Sequence, residues 1–245
     1  MILFLLPVYN EEKNIHTLLH NIASTAAAKE WDYHVCIVDD GSTDATVDMV
    51  TSLQNQIPIT LLANPCNMGP GAAFNTGFLH ISENYRADDT VVTMEADNTS
   101  DLSILETMLA KIRSGTDLVL ASCYSAEGGV EGTNLYRRIL SWGANLLMHF
   151  IFAGQQIRTF SSFYRCYRLA IIQEAYRKYG DNFIAEHGFV CAVDILLKLN
   201  RLDIKIEEVP MVLRCQLRNG RSKMKTVKTI FAYLKLFARE LLGTR

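Results

Sequence analysis

At 245 residues the chain is long enough for one large domain or two small ones, with a substantial core. Hydrophobic residues make up 49% and charged residues 20%, which excludes a disordered chain. A formal net charge of -2 provides no global basic field, so nucleic acid is not expected as the main partner. Six cysteines (Cys36, Cys66, Cys123, Cys166, Cys191, Cys215) are dispersed without a C-x-x-C pair, several within apolar runs. They read as reduced, buried thiols of a cytosolic protein, not as a disulfide framework or zinc site.

The first apolar run, Met1 to Leu6, has no basic leader and is broken by Pro7, so it reads as a strand and not as a signal peptide. From there strand-like and helix-like segments alternate, the pattern of βαβ units on a parallel sheet. Strands are expected at Ile2–Leu6, His34–Val38, Ile59–Ala63, Thr90–Met94 and Leu118–Ser122. Helices are expected at Lys13–Ala27, Asp44–Gln54 (capped by Ser42 or Thr43), Gly71–Tyr85 and Ile104–Ser114. A glycine-rich loop, Glu127 to Thr133, punctuates the chain. Beyond it the pattern predicts an apolar helix over Leu135–Phe152 with Arg137 and Arg138 near its start, a buried helix at Gly188–Leu199 and a strand at Ile204–Val209. From Lys223 onward the tail is helical in pattern. With no repeat and no linker, the expectation is one domain over 1–222 with a C-terminal helix over 223–245. The longest weakly polar stretch, Trp142 to Ala153, is too short to cross a bilayer and contains Asn145 and His149, so no transmembrane helix is expected.

Four segments at the carboxyl ends of these strands carry chemistry. Met94-Glu95-Ala96-Asp97-Asn98 places two carboxylates two residues apart where a buried strand ends. Ligands of open α/β sheets bind at that edge, and paired hard oxygens there suit Mg²⁺ or Mn²⁺ bridging to a diphosphate. Pro7-Val8-Tyr9-Asn10-Glu11 follows the first strand, and Val38-Asp39-Asp40-Gly41-Ser42-Thr43-Asp44 the second. An acid after the second strand can accept hydrogen bonds from a ribose or base. After the third strand, Asn67 to Gly77 includes Gly69 and Gly71, which allow close backbone approach and open a helix N-terminus toward a ligand. Taken singly these are weak signals: a lone G-x-G is often a tight turn, and Asp39 and Asp40 alone could be a capping cluster. A dinucleotide-binding dehydrogenase is disfavoured, because the G-x-G does not follow the first strand and G-x-G-x-x-G is incomplete.

In this order, the four segments resemble family 2 glycosyltransferases of the GT-A fold, and within them the polyprenyl-phosphate sugar transferases of the dolichol-phosphate mannose synthase type. Pro7–Glu11 is similar to the family's P-x-Y-N-E opening, Val38–Asp44 to its V-D-D-G-S-x-D signature, and Glu95-Ala96-Asp97 to its metal-binding D-x-D. Gly128–Gly132 followed by Arg137, Arg138, Ser141 and Gly143–Asn145 resembles the acceptor side of the dolichol-phosphate enzymes. Phe163–Tyr167 and Arg218–Lys223 resemble the F-R-x-Y and G-x-S-K segments. The resemblance implies an α/β GT-A fold, a Rossmann-like, mostly parallel sheet flanked by helices. It also implies roles: Pro7, Tyr9, Glu11 and Asp39 on the nucleoside, with Asp40, Gly69, Gly71, Asn75 and Ala96 completing the nucleotide-sugar site. Glu95 and Asp97 would hold Mg²⁺ or Mn²⁺ and serve catalysis, and Arg137, Ser141, Arg165 and Lys223 would contact an acceptor phosphate. Arginine forks suit phosphate oxygens.

Three positions depart from the family pattern. Glu95 replaces an aspartate, Thr99 stands where a glutamine often assists the metal, and Thr159-Phe160-Ser161-Ser162-Phe163 replaces D-x-T-S-G-F. The implied reaction is inverting, metal-dependent transfer from a GDP-mannose or UDP-glucose type donor to polyprenyl or dolichyl phosphate, at the cytoplasmic face of a membrane, with room for a membrane partner subunit. The competing expectations are a family 2 transferase with a non-lipid acceptor and a catalytically idle nucleotide-sugar scaffold.

A chain acting on a lipid must reach a bilayer. In the tail Val227, Ile230, Phe231, Leu234, Ala238 and Leu241 form a stripe flanked by Lys225, Lys228, Lys235 and Arg239, interrupted by Tyr233 and Leu236. This composition fits an interfacial helix, and equally a helix packed on the core or on a partner. Leu146–Phe152 with Trp142 is a second interfacial candidate. Asp194, an acid on an apolar helix, either faces the site or pairs with an arginine.

Overall fold

The computed structural model describes residues 1–133, 157–220 and 226–242, together with 143, 148 and 223. Apart from residues 143 and 148, the expected Leu135–Phe152 helix, with Arg137, Ser141 and Trp142, lies outside the described residues.

In chain order the elements are β1 (Ile2–Val8), α1 (Ile15–Ala28), β2 (Tyr33–Asp39), α2 (Thr46–Leu53), β3 (Ile59–Ala63), α3 (Pro70–Asn84), β4 (Thr90–Thr93) and α4 (Leu105–Arg113). There follow β5 (Leu118–Ser122), β6 (Gly129–Glu131), β7 (Arg165–Arg168), α5 (Leu169–Tyr179), α6 (Cys191–Asn200), β8 (Ile206–Pro210), β9 (Val212–Arg214) and α7 (Thr226–Leu241). Neither Ser42 nor Thr43 caps α2: the Asp44 carboxylate instead accepts the Thr46 N–H at 3.1 Å, and the Ser42 hydroxyl accepts the Asn10 N–H at 2.8 Å.

Seven strands form one sheet in the order β3-β2-β1-β4-β7-β5-β8, and β6 pairs with β9 beside it. All neighbours in the large sheet are parallel except β7, which runs antiparallel between β4 and β5. From β1 the chain winds outward to β2 and β3, then returns to place β4 on the other side of β1. That reversal opens a crevice at the carboxyl ends of β1 and β4, the topological switch point where such sheets bind ligands.

Alternation along the strands divides the core into two layers. Leu3 and Leu5 of β1 pack with Phe74 and Phe78 of α3, together with α5 and α6, on one face. Phe4 and Leu6 pack with Leu18, Leu19 and Ile22 of α1 and with α2 and α4 on the other. Cys36, Cys166 and Cys191 are buried free thiols, whereas Cys66 is exposed.

The two residues that interrupt the apolar stripe of α7 are the ones that dock it. Tyr233 and Leu236 are buried in the α3, α5 and α6 layer, at 8% and 0% exposure. Phe231, Leu234 and Leu241 face outward, at 67%, 49% and 65%. Arg239 pins the helix by donating to Glu186 and Asp194, both at 3.1 Å. Asp194, 1% exposed, also accepts from Lys198 at 3.0 Å and from the Ala185 N–H at 2.9 Å, so it is an arginine's structural partner. Arg239→Ala removes one of several donors to this buried carboxylate and should destabilise the fold by about 1–3 kcal/mol. Thermal melts should show a midpoint a few degrees lower, with partial recovery in Arg239→Lys; an unchanged midpoint would show that α7 is held by its apolar contacts alone.

Candidate functional site

A cavity of about 1580 Å³ lies over the switch point, and the loops after β1, β2, β3 and β4 all contribute to it. Pro7, Tyr9, Glu11, Asp40, Gly69, Glu95, Ala96, Asp97 and Lys223 line it. Four other expected site residues are not among its lining. The Asp39 carboxylate, buried at the end of β2, accepts the Ser42 N–H at 3.1 Å and shapes its own loop. Gly71 sits where the backbone of residues 186 and 187 leaves no room for a side chain. Asn75 accepts the Tyr176 hydroxyl at 2.9 Å. Arg165 is 1% exposed within the central strand β7 and donates to the carbonyls of Ala192 at 2.9 Å and Phe160 at 2.8 Å.

The rims are held by side chains that accept backbone N–H groups. Asp40 takes Asn64 Nδ2 at 2.8 Å, the Met68 N–H at 3.1 Å and the Gly69 N–H at 2.7 Å, fixing the glycine loop before α3. Gly69 adopts φ 96°, a conformation that L side chains rarely take. The Asn10 side chain accepts the Thr43 N–H at 2.7 Å, tying the β1 loop to the β2 loop.

The acidic pair follows β4. Glu95 accepts from the Ser100 hydroxyl at 3.0 Å and the Phe163 N–H at 3.4 Å. Asp97 accepts the Thr99 N–H at 3.1 Å and the Thr99 hydroxyl at 2.6 Å on Oδ1, while Oδ2 accepts Arg218 Nε at 2.6 Å and is also bonded by a terminal guanidinium nitrogen. Burial, and after it the Asp97 charge, pushes the Glu95 carboxyl above its ordinary range. Two hard-oxygen donors, one pushed toward protonation by burial first and by its acidic neighbour second, are of the kind that a divalent cation takes as ligands.

The sequence reading did not place Arg218, Asn14 and Asn219 in the site, although Arg218 and Asn219 open the Arg218–Lys223 segment it singled out. Asn219 and Asn14 bond reciprocally, the Asn219 N–H to Asn14 Oδ1 at 3.0 Å and Asn14 Nδ2 to the Asn219 carbonyl at 3.1 Å. Lys223 donates to the Asn10 carbonyl at 2.5 Å and pairs with Glu11. The lining also carries apolar side chains, Phe163, Phe189, Met211 and Leu213, joined by Ile230 and Tyr233 of α7. Thr159, whose hydroxyl meets that of Ser122 at 2.8 Å, Ser161 and Ser162 also line the cavity.

A mostly parallel, helix-flanked sheet with a cavity at its switch point is the GT-A architecture. Solved structures agree: glucosyl-3-phosphoglycerate synthase from Mycobacterium tuberculosis, in complex with Mn²⁺, UDP and phosphoglyceric acid, superposes with a TM-score of 0.65 at 17% identity, over 99% of this chain and 78% of that one. TarS residues 1–349 from S. aureus, with UDP-GlcNAc, gives 0.60 at 19%, over 98% and 66%. At these identities the likeness speaks for the fold. The model of glycosyl transferase family 2 matches residues 4–180, and the chain belongs to that family. Among curated relatives, a dolichol-phosphate mannosyltransferase from Pyrococcus furiosus is 30% identical over 94% of this chain and 61% of its own length. A polyprenol monophosphomannose synthase from Mycolicibacterium smegmatis is 26% identical over 85% and 76%. The chain thus spans about three fifths of the Pyrococcus relative.

Proposed function

We propose that the chain transfers a sugar, with inversion, from a nucleoside-diphosphate sugar to the phosphate of a polyprenyl or dolichyl lipid at a membrane surface. The observation that carries this reading is one cavity lined both by a carboxylate pair at the switch point and by apolar residues, two of them from α7. Family membership and relatives named for lipid-phosphate acceptors support it.

An acceptor phosphate oxygen attacks the anomeric carbon; the new C–O bond forms as the bond to the donor diphosphate breaks on the opposite face. Since that phosphate is already ionised near neutral pH, no strong general base is needed. Glu95 and Asp97 would hold Mg²⁺ or Mn²⁺, which when bound offsets charge on the departing diphosphate. Asp40 keeps the Gly69 loop open for the donor, and Tyr9 and Pro7 offer a wall for the nucleoside. The apolar lining residues, Ile230 of α7 among them, would receive the first part of the lipid.

Among the described residues no helix is long and apolar enough to cross a membrane. Membrane contact is assigned to the outward face of α7, where Phe231 and Leu234 lie near exposed Lys228 and Lys235. Removing the whole tail would also uncover the core beneath Tyr233 and Leu236, so surface substitutions are the cleaner test.

The chain should form a lipid-linked sugar when given GDP-mannose or UDP-glucose, Mn²⁺ and polyprenyl phosphate in phosphatidylglycerol-containing vesicles. Phe231→Ser with Leu234→Ser should weaken vesicle flotation by about tenfold, given ~25 cal/mol per Å² of apolar burial lost. Transfer to water-soluble acceptors alone would overturn the lipid reading, and flotation unchanged in the double variant would overturn the role of α7.

A further inference from the structure

Every acceptor position of the Asp97 carboxylate is in use. A carboxylate offers about four lone-pair sites over two oxygens. Thr99 fills those of Oδ1 through its N–H and hydroxyl, and Arg218 fills those of Oδ2 through Nε and a terminal nitrogen. Arg218–Gly220 forms a strap in the cavity lining, with the Asn219 backbone bonded to Asn14, and Lys223, which also lines the cavity, pairs with Glu11. Asn14, 2% exposed, also donates to Glu11 at 2.6 Å, and its carbonyl accepts Asn98 Nδ2 at 3.0 Å. The strap, the loop after β1 and the loop after β4 therefore form one closed ring of hydrogen bonds.

We infer that Arg218 is a positioning residue that couples divalent-cation binding to diphosphate binding. This rests on the assignment of Glu95 and Asp97 as the cation site. A cation can reach Asp97 Oδ2 only by displacing a guanidinium that carries charge of the same sign. The cation alone therefore meets a latched site. A diphosphate changes the balance, because its oxygens give the arginine fork another bidentate partner. Once Arg218 turns to the diphosphate, Asp97 is released to the cation and the strap is held by Asn219 alone. Cation and diphosphate then strengthen each other's binding, and linkage makes the effect reciprocal.

The test reads free Mn²⁺ by electron paramagnetic resonance, with and without GDP or UDP, corrected for the nucleotide's own chelation. In the wild type, nucleotide should tighten Mn²⁺ binding by about 5-fold or more, the lower end of ordinary coupling. Arg218→Gln should bind Mn²⁺ alone at least about 5-fold more tightly than wild type, with the tightening by nucleotide reduced by a similar factor. Asn14→Ala, which removes the side chain that holds the Asn219 backbone and leaves Asp97 untouched, should move both quantities in the same direction by less. Asp97→Asn separates the two layers of the argument. If Asp97→Asn binds Mn²⁺ as wild type does, the carboxylate site itself is wrong. If Asp97→Asn loses Mn²⁺ while Arg218→Gln binds it no better than wild type, the site stands and the latch is overturned. Absence of nucleotide-induced tightening in the wild type overturns the latch without any variant.

Discussion

Asp97→Asn should reduce sugar transfer by on the order of 10²–10³-fold, the scale of losing one preorganised charge-stabilising group. It should also erase the thermal stabilisation that Mn²⁺ and a nucleotide sugar give the wild type together. The fold itself should tolerate the change. Asparagine keeps an acceptor for Thr99, and the Arg218 pair it weakens, made to a buried carboxylate, should cost about 1–3 kcal/mol. The pH dependence carries a sign. Because the Glu95 carboxyl is pushed up in the folded chain, its protonated form favours folding at low pH, and that contribution is lost as pH rises through the raised value. Cation binding needs the ionised form, so stabilisation by Mn²⁺ should grow over the same rise. Transfer within about tenfold of wild type in Asp97→Asn would remove this residue from the reaction.

Gly71→Ala should be among the most damaging single substitutions outside the reacting groups. A Cβ at Gly71 would lie 1.9 Å from the Glu186 carbonyl oxygen and 2.9 Å from its carbon, both backbone atoms that no rotamer change can move. The Gly71 N–H already donates to the His187 carbonyl at 2.9 Å, which locks the start of α3 against that loop. Overpacking of this kind costs at least about 3 kcal/mol, or roughly 6–12 °C in thermal midpoint for a domain of this size. The loop before α3 also rims the cavity at Gly69, so nucleotide binding should weaken with stability. A stable Gly71→Ala variant with unaltered nucleotide binding would show that residues 186 and 187 yield freely.

Much of this was legible in order of residues. The βαβ rhythm of the first half depends on local periodicity, and the strands at Ile2–Val8, Tyr33–Asp39, Ile59–Ala63 and Leu118–Ser122 match their expected positions within two residues. The loops after β1 to β4 could be placed at one edge because parallel strands put all their carboxyl ends on the same side. Strand β7 and helix α5 were not foreseen. Arg165, Tyr167 and Arg168 give β7 no alternating apolar pattern, and the buried Arg165 guanidinium is received by the carbonyl of Phe160 just before the strand and by that of Ala192 on α6. The antiparallel insertion between β4 and β5 likewise has no local signature.

What the sequence determined by itself is the chemistry available: a carboxylate pair after β4, acids after β2, a glycine opening to α3, and a cationic segment from Arg218 to Lys223. Residue types and spacing fix such things, because they follow from covalent order and from strand and helix periods. The tertiary structure alone decided which groups are committed. Asp39 serves its own loop, Asn75 serves Tyr176, and Asp194 serves Arg239. It also decided that Tyr233 and Leu236, which look like flaws in an amphipathic stripe, are the contacts that seat α7. Arg218 reached Asp97 across 121 positions of sequence. Pairings over such separations are set by how the layers pack around the sheet, and no local pattern encodes them.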